Sequence, residues 1–212
     1  MKNIAVLVSG GGTNLQAIIN AIGNEKITNG KIALVIASKD DAYALVRATE
    51  NNIATCVISP KSYETREEFT HKVVEKLKSF SIDLVVLGGF NFILTPEFPT
   101  TFKNRILNVH PALIPSFCGL GFYGLRVHKA VLESGVKITG ATVHFVNEIA
   151  DGGPIILQKP IYVNEGDTPE TLQKRVMEEC EWDILTRAVN LFCNDRIWVG
   201  ENGIARVRKL QE

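Results

Sequence analysis

The chain has no surplus of either charge, no long apolar run, no paired cysteines and no internal repeat. Its 23 basic residues balance 23 acidic ones, which argues against a dedicated nucleic-acid or membrane-surface binder. No apolar stretch is long enough to span a bilayer. The apolar start, Ile4–Val8, soon meets Ser9-Gly10-Gly11-Gly12 and is too short for a signal-peptide core. The 4 cysteines, Cys56, Cys118, Cys180 and Cys193, show no paired spacing. They read as reduced thiols, so the expected compartment is the cytoplasm, and Cys118 reads as inert packing in a loop. The 4 histidines lack ligand spacing with acids or cysteines, so metal-independent activity is expected.

What remains is an apolar, globular composition, 45% hydrophobic over 212 residues, enough for one sizeable α/β domain spanning 1–212. Val- and Ile-rich runs alternate with helix-period segments. Strands are expected at Ile4–Val8, Lys31–Ser38, Thr55–Ile58, Ile82–Leu87 and Arg105–Val109. Helices are expected at Asn14–Ile22, Ala42–Asn51 and Tyr63–Phe80, and His128 begins another helical stretch. This order implies a mainly parallel twisted sheet with helices on both faces. In the C-terminal half, Gly140–Val146 and Ile155–Val163 alternate in polarity and read as an antiparallel extension of the sheet. Asp167-Thr168-Pro169-Glu170 starts a helix that runs to about Phe192. Arg196–Val199 and Ile204–Val207 form a hairpin with Asn202-Gly203 at its turn.

Two features carry chemistry. In Ile106-Leu107-Asn108-Val109-His110, a strand's period of two places Asn108 and His110 on one face and Leu107 and Val109 on the other. Pro111, without an N–H, ends the strand at a loop mouth. With the carboxylate of Asp151 in Asp151-Gly152-Gly153-Pro154, these supply an amide, an imidazole and an acid, a polar set suited to moving an acyl group onto an amine. Taken alone, each has a plainer reading: a turn-forming Asn, a structural His, a hairpin turn. The second feature is Ser9-Gly10-Gly11-Gly12-Thr13-Asn14, joining the first strand to the first helix. Its glycines let backbone approach a ligand, and a helix N-terminus suits a phosphate. It is not a Walker A loop, since no Gly-Lys-Ser/Thr follows. Leu15 holds the place of the third glycine of a dinucleotide fingerprint, so a single phosphate fits better. The plainer reading is a tight turn with Thr13 or Asn14 as helix cap. His144 alternates with Val143 and Phe145 and reads as a supporting or structural group, and His71 as solvated.

Four segments in this order, Ser9–Ala17, Asn108–Pro115, Gly140–Val146 and Asp151–Ile156, closely resemble the phosphoribosylglycinamide formyltransferases (GAR transformylases), over nearly the whole chain. The resemblance implies a formyltransferase-like fold, with a phosphate-binding half at about 1–105 and a folate-binding, catalytic half at about 106–212. It implies transfer of a formyl group from 10-formyltetrahydrofolate, as co-substrate, to the amine of glycinamide ribonucleotide in purine (IMP) synthesis. The amine attacks directly, Asn108 and His110 stabilise the oxyanion, and Asp151 assists proton transfer. The implied substrate-binding residues are Gly11, Gly12, Thr13, Asn14, Arg66 and Glu181, and the implied folate-binding residues are Leu87, Phe92, Ile93, Leu94, Asn147 and Glu148. Small-molecule substrates, no nucleic acid, no membrane, and a monomer or homodimer are expected. This chain departs from the family in three places. Asn91-Phe92-Ile93-Leu94 stands where many members have Met-Arg-Ile-Leu. The gap between Arg175-Val176 and Glu181 is one residue longer, and the loop Ser116–Gly124 is extended.

Formyl transfer to tRNA, or hydrolysis of the formyl-folate, are the enzymatic alternatives. The first normally brings an extra basic C-terminal domain, the second an N-terminal regulatory domain. A sugar-phosphate-binding module would explain the glycine loop but not the Asn108, His110 and Asp151 set.

Overall fold

In the computed structural model, residues 1–208 are described, so the last four positions of the expected 1–212 domain lie outside it. Seven strands form one sheet in the order β3-β2-β1-β4-β5-β6-β7. The first five are β1 (Lys2–Val8), β2 (Gly30–Ala37), β3 (Thr55–Val57), β4 (Leu84–Leu87) and β5 (Ile106–His110). They pair in parallel. The other two, β6 (Ile138–Phe145) and β7 (Ile155–Tyr162), add antiparallel pairs at one edge. The mainly parallel sheet with an antiparallel extension is therefore observed. The hairpin also forms, as a separate ribbon of β8 (Ile197–Val199) and β9 (Ala205–Val207).

Helices cover both faces. The larger core lies beneath α1 (Thr13–Gly23), α2 (Tyr43–Glu50), α5 (Leu125–Ser134), α6 (Pro169–Val176) and α7 (Trp182–Cys193). It takes Val6, Val86, Leu107, Val143 and Phe145 from the strands. The opposite face packs Ala5, Leu7, Val85 and Ile106 against α3 (Arg66–Ser79) and α4 (Glu97–Thr101). Strand residues alternate between the two cores because the side-chain period is two.

Several local expectations shift. The third helix starts at Arg66, not Tyr63, because the Thr65 side chain accepts from Glu68 N and so caps it. Tyr63 follows a short 3-10 turn, Pro60–Ser62. The fifth helix begins at Leu125, a turn before His128. Neither Thr13 nor Asn14 caps the first helix. Gly12 holds that position with φ 71°, and a Cβ there would meet the Ala44 Cβ at 2.6 Å, so both backbone sign and space require glycine. The short α4 was not foreseen.

The late helix does run from Pro169 to Cys193, but Met177–Glu181 forms a π turn between α6 and α7. A π turn absorbs one residue without breaking the helix. Glu181, before which the sequence spacing is longer than the resemblance implies, is the last residue of that turn.

The strand order reverses between β1 and β4, so the loops leaving these two strands diverge. Open α/β sheets bind ligands in the crevice made there. The glycine loop leaves β1, and the segment Gly88–Leu94 leaves β4. The two are stitched together: Ser9 N donates to Gly89 O at 3.0 Å, and Asn91 N donates to Ser9 Oγ at 3.0 Å. Beyond β5, Thr142 on β6 ties down the chain that follows His110. Its hydroxyl donates to Ala112 O at 2.7 Å and accepts from Ile114 N at 3.1 Å.

The β6–β7 connection closes tightly. A Cβ at Gly153 would fall inside the van der Waals envelope of Phe145 O, whereas one at Gly23 meets nothing within 4 Å. Gly153→Ala is therefore expected to lower stability by about 1–3 kcal/mol, while Gly23→Ala stays neutral or stabilises slightly. Urea unfolding of the two variants checks this; equal midpoints would refute the crowding at Gly153.

Candidate active site

The antiparallel register sets Asn108 opposite His144 and His110 opposite Thr142. Directly opposed residues share a face, so the amide and two imidazoles gather on one side of the sheet. The long β6–β7 connection folds back over that side and brings in Asp151, whose φ is 53°. Asp151 Oδ1 lies 3.5 Å from Asn108 Nδ2 and 3.6 Å from His144 Nε2, and Oδ2 lies 3.5 Å from His110 Nδ1. Gly119 N donates to Oδ2 at 2.8 Å. The structure thus brings Asn108, His110 and Asp151 together.

The hydrogen bonds assign the tautomers. His110 Nε2 lies 2.8 Å from Phe117 O, and a carbonyl only accepts, so Nε2 carries the proton. When His110 is neutral, its lone pair is on Nδ1, facing Asp151. His144 Nδ1 likewise donates to Phe145 O at 2.8 Å. In neutral His144, Nε2 then accepts from Asn108 Nδ2, at 3.2 Å. The Asn108 amide must point its NH₂ this way, because a flipped amide would set oxygen against the Asp151 carboxylate.

Burial and charge oppose one another here. Burial pushes the Asp151 carboxyl up, but the contact with His144, the His110 charge and the Gly119 N–H together hold it below its ordinary value. It is ionised near neutrality. His110 is held below its ordinary value, chiefly by burial, despite the pull of Asp151. The pair is a fixed carboxylate beside a neutral imidazole whose free lone pair points at it. Such an imidazole takes a proton at Nδ1, and the resulting cation is stabilised by the carboxylate. Cys118, near the same carboxylate, has its thiol pushed up by burial and by Asp151, which leaves it a poor nucleophile.

Asn108, His110, His144 and Asp151 line a cavity of about 650 Å³ that also reaches Asn14 and Glu181. Leu87, Phe92, Ile93, Leu94, Asn147 and Glu148 line it as well. Glu181 enters through the π turn. Its carboxyl is buried, with Asn14 Nδ2 donating to Oε2 at a long 3.4 Å, and burial pushes it up to about 7 against the weaker effect of Asn14. Met177, at the other end of the same turn, accepts from Thr13 Oγ1 at 3.4 Å. Both first residues of α1 are therefore gripped by one π turn.

Gly11, Gly12 and Thr13 lie at the mouth of α1 rather than on the cavity wall. Arg47 Nε donates to Gly11 O at 2.8 Å, and Ala44 N donates to Gly10 O at 3.1 Å. With the carbonyls of Gly10 and Gly11 held by α2, the first N–H groups of α1 have no intrahelical partner. Arg66 is not brought to this cavity. It lines a smaller neighbouring pocket of about 220 Å³ with Tyr63, Phe69 and Phe92. Among the described residues no group of three or more His, Cys, Asp or Glu is arranged to hold a metal ion. No helix among them is long and apolar enough to cross a membrane. His71 is exposed and sits 3.0 Å from Glu97.

Sequence reasoning left His144 in a supporting role without naming its partners, and missed Phe117 O and Gly119 N. The His144 partners follow from a cross-strand register that one strand cannot reveal. The other two are backbone atoms, which carry no residue-type signal.

A family model described as formyl transferase matches residues 2–189. A phosphoribosylglycinamide formyltransferase of Haemophilus influenzae is 41% identical over 202 residues, 95% of this chain and 92% of that protein. A chloroplastic phosphoribosylglycinamide formyltransferase of Arabidopsis thaliana is 38% identical over 211 residues, 99% of this chain and 72% of that one. The crystal structure of glycinamide ribonucleotide transformylase 1 from Symbiobacterium toebii has 40% identity and a TM-score of 0.92, covering 99% of this chain and 95% of that chain.

Glu181 makes a checkable statement about pH. Its folded value is about 7, above the ordinary value of a glutamate. Between the two values the folded state binds the proton and the unfolded state has lost it, so stability falls as pH rises through that window. Above it the ligand-free protein carries a penalty on the order of a few kcal/mol. Glu181→Gln is expected to be as stable as the parent at about pH 4 and more stable at about pH 8. Urea midpoints across that range decide it, and parallel profiles for the two proteins would contradict the burial of an uncompensated carboxyl.

Proposed function

This chain belongs to the phosphoribosylglycinamide formyltransferases, within the wider formyl transferase family, and on that footing we propose that it transfers the formyl group of 10-formyltetrahydrofolate to the amine of glycinamide ribonucleotide, a step in purine synthesis. The observation that carries this reading is the Asn108–His110–Asp151 constellation, set in a cavity that runs on to the N-terminus of α1.

The phosphate of the acceptor rests on the N–H groups at the start of α1, around Gly11–Asn14, where the helix dipole favours an anion. Asn14 and Glu181 present oxygen acceptors to the part of the acceptor next to that phosphate. The folate lies along Leu87, Phe92, Ile93 and Leu94, with Asn147 and Glu148 on the far lip. Arg66, in the neighbouring pocket, lies beyond Phe92 and serves the outer, anionic end of a substrate rather than the reacting atoms.

The neutral amine attacks the formyl carbon, and negative charge gathers on the formyl oxygen. Asn108 Nδ2 donates to that oxygen. Its contact with Asp151 is long, 3.5 Å, so exchanging it for an oxyanion costs little. An oxyanion donor of this kind is worth about 2.7–4 kcal/mol. The His110 Nε2–H is held by Phe117 O in the ligand-free arrangement. For His110 to stabilise the oxyanion too, that carbonyl must move as the loop after Pro115 receives substrate. The proton lost by the amine reaches His110 Nδ1, directly or through one water, and Asp151 stabilises the imidazolium. Collapse of the intermediate returns a proton to the folate nitrogen as it leaves. No covalent acyl-enzyme is needed.

Formyl transfer followed by absorbance is expected to release folate product only when glycinamide ribonucleotide is present. Release without any acceptor would mean a deformylase, and none at all from folded protein would leave a binding protein. Asp151→Asn keeps shape but removes the charge that stabilises the imidazolium. It is expected to lower kcat by about 10²–10⁴-fold with both KM values within a few-fold of the parent. Unchanged kcat would reduce Asp151 to a loop residue.

A further inference from the structure

His128, on α5, is a titratable group that the reaction above does not use. It is fully buried, yet neither ring nitrogen has a hydrogen-bond partner among the described residues. Buried polar groups in folded proteins are almost always paired, and an exception calls for an explanation. A leucine would fill such a site without that penalty. His128 also borders the main cavity, together with Gln173 and Met177 of the α6 and π-turn wall. α5 packs against α6, so His128 lies on the side of the cavity built by α5, α6 and the π turn that carries Glu181. It lies near enough to His110 for their charges to interact.

We propose that His128 is a substrate-binding residue for the acceptor, hydrogen-bonding the carboxamide that links the acceptor's sugar to its amine-bearing carbon. The inference rests on the acceptor reading given above. The chemistry of the wall selects this group. Beside the glycine loop, Asn14 offers an unpaired acceptor oxygen and Glu181 a carboxyl held by one long hydrogen bond, both suited to hydroxyl donors. His128, farther along and beside His110, offers one N–H and one lone pair. A secondary carboxamide offers the complement, one C=O and one N–H. Burial, then the neighbouring His110, holds the His128 imidazole down to about 4, so near neutrality it keeps both a donor and an acceptor. The segment Gly119–Gly124, in which Gly119, Gly121 and Gly124 all have positive φ, lines the same cavity. Acceptor entry supplies the ring's missing partner.

Two measurements on the intact protein test this. The first follows the ring nitrogens of His128 by NMR as glycinamide ribonucleotide is added, and separately ribose 5-phosphate, which shares the phosphate and sugar but lacks the carboxamide. The His128 signals are expected to shift with the first and not with the second, while the Asn14 amide reports saturation by both. A His128 signal that stays still at saturation, or moves equally with both ligands, overturns the proposal. The second compares His128→Leu and His128→Gln with the parent. Leucine is expected to raise the acceptor KM by about three- to tenfold, leave the folate KM unchanged and keep the Tm the same or higher. Glutamine, which retains a donor and an acceptor, is expected to recover part of the loss. A lower Tm with unchanged acceptor KM assigns His128 to packing and overturns the proposal. Saturation of the Asn14 signal in a wild-type protein that transfers no formyl group would sink the proposed reaction instead, and the ring shifts would still be readable.

Discussion

Strand β5 is hydrogen-bonded along both edges, parallel to β4 on one side and antiparallel to β6 on the other. It is the last parallel strand and the first to meet the antiparallel extension, and its register decides everything polar in the cavity. Leu107 and Val109 point into the larger core with Val143 and Phe145. Asn108 and His110 point the other way with His144 and Thr142. A slip of one residue would turn every side chain to the opposite face. It would bury the amide and two imidazoles among aliphatic side chains and expel apolar ones. The hydrophobic core thus fixes the catalytic face by default, without any bond devoted to that purpose. Thr142 adds a local lock by accepting and donating to the chain just after His110.

Around that face, similar groups are driven to different protonation states by their surroundings. Asp151 and Glu181 are both largely buried, yet one is held below its ordinary value and the other raised to about 7. The difference lies in partners. Asp151 meets a backbone N–H and two imidazoles, whereas Glu181 meets one distant amide. One carboxylate is ready to stabilise a cation, and the other waits for a donor. Carboxyls separated in this manner divide roles within one site. The neutral His110 fits the proposed reaction, in which a base must be unprotonated before it can accept the amine's proton.

How much of this could be read from the chain alone follows from the range of each interaction. Strand periodicity is local, so the shared face of Asn108 and His110 and the βα alternation were legible from a few neighbouring residues. The alternating polarity of the two late strands gave away the antiparallel extension for the same reason. The capping of α1 was not legible. Thr13 and Asn14 are good cap residues by type, but the close approach of Ala44, 32 positions away in sequence, leaves room only for glycine at position 12. The longer spacing before Glu181 was visible in the chain, whereas the π turn at that place was not. Arg66 was grouped with the substrate residues by resemblance, and its helix places it at the neighbouring pocket. The partners of His144 depend on register between strands separated by a long loop, and those of His110 on a backbone carbonyl. Neither leaves a mark on composition or spacing.

The unsatisfied groups show what the ligand-free structure is arranged to do. Among the described residues, Asn14 Oδ1, both nitrogens of His128, Thr139 Oγ1 and Trp182 Nε1 are buried without a partner. Thr139 and Trp182 are absent from the cavity lining, while Asn14 and His128 both belong to it, on the wall shared with Glu181. Each orphaned group costs the folded protein about 1–3 kcal/mol. Evolution toward stability alone would remove them with apolar side chains of similar size, as it removes such groups elsewhere. The two that share the cavity are placed where a ligand could reach them, as in a binding surface before its ligand arrives. A ligand that satisfies these atoms recovers their penalty as affinity, and a near analogue that leaves one unpaired does not. Hydrogen-bonding sites reject the incomplete analogue far more strongly than apolar pockets reject a missing methylene, because the penalty stays with the protein. On the proposed reading, discrimination on the acceptor side resides in polar groups kept unpaired at the expense of stability. The side of the cavity proposed for folate, lined by Leu87, Phe92, Ile93 and Leu94, then relies mainly on area and shape and tolerates the Asn91-Phe92 departure more readily.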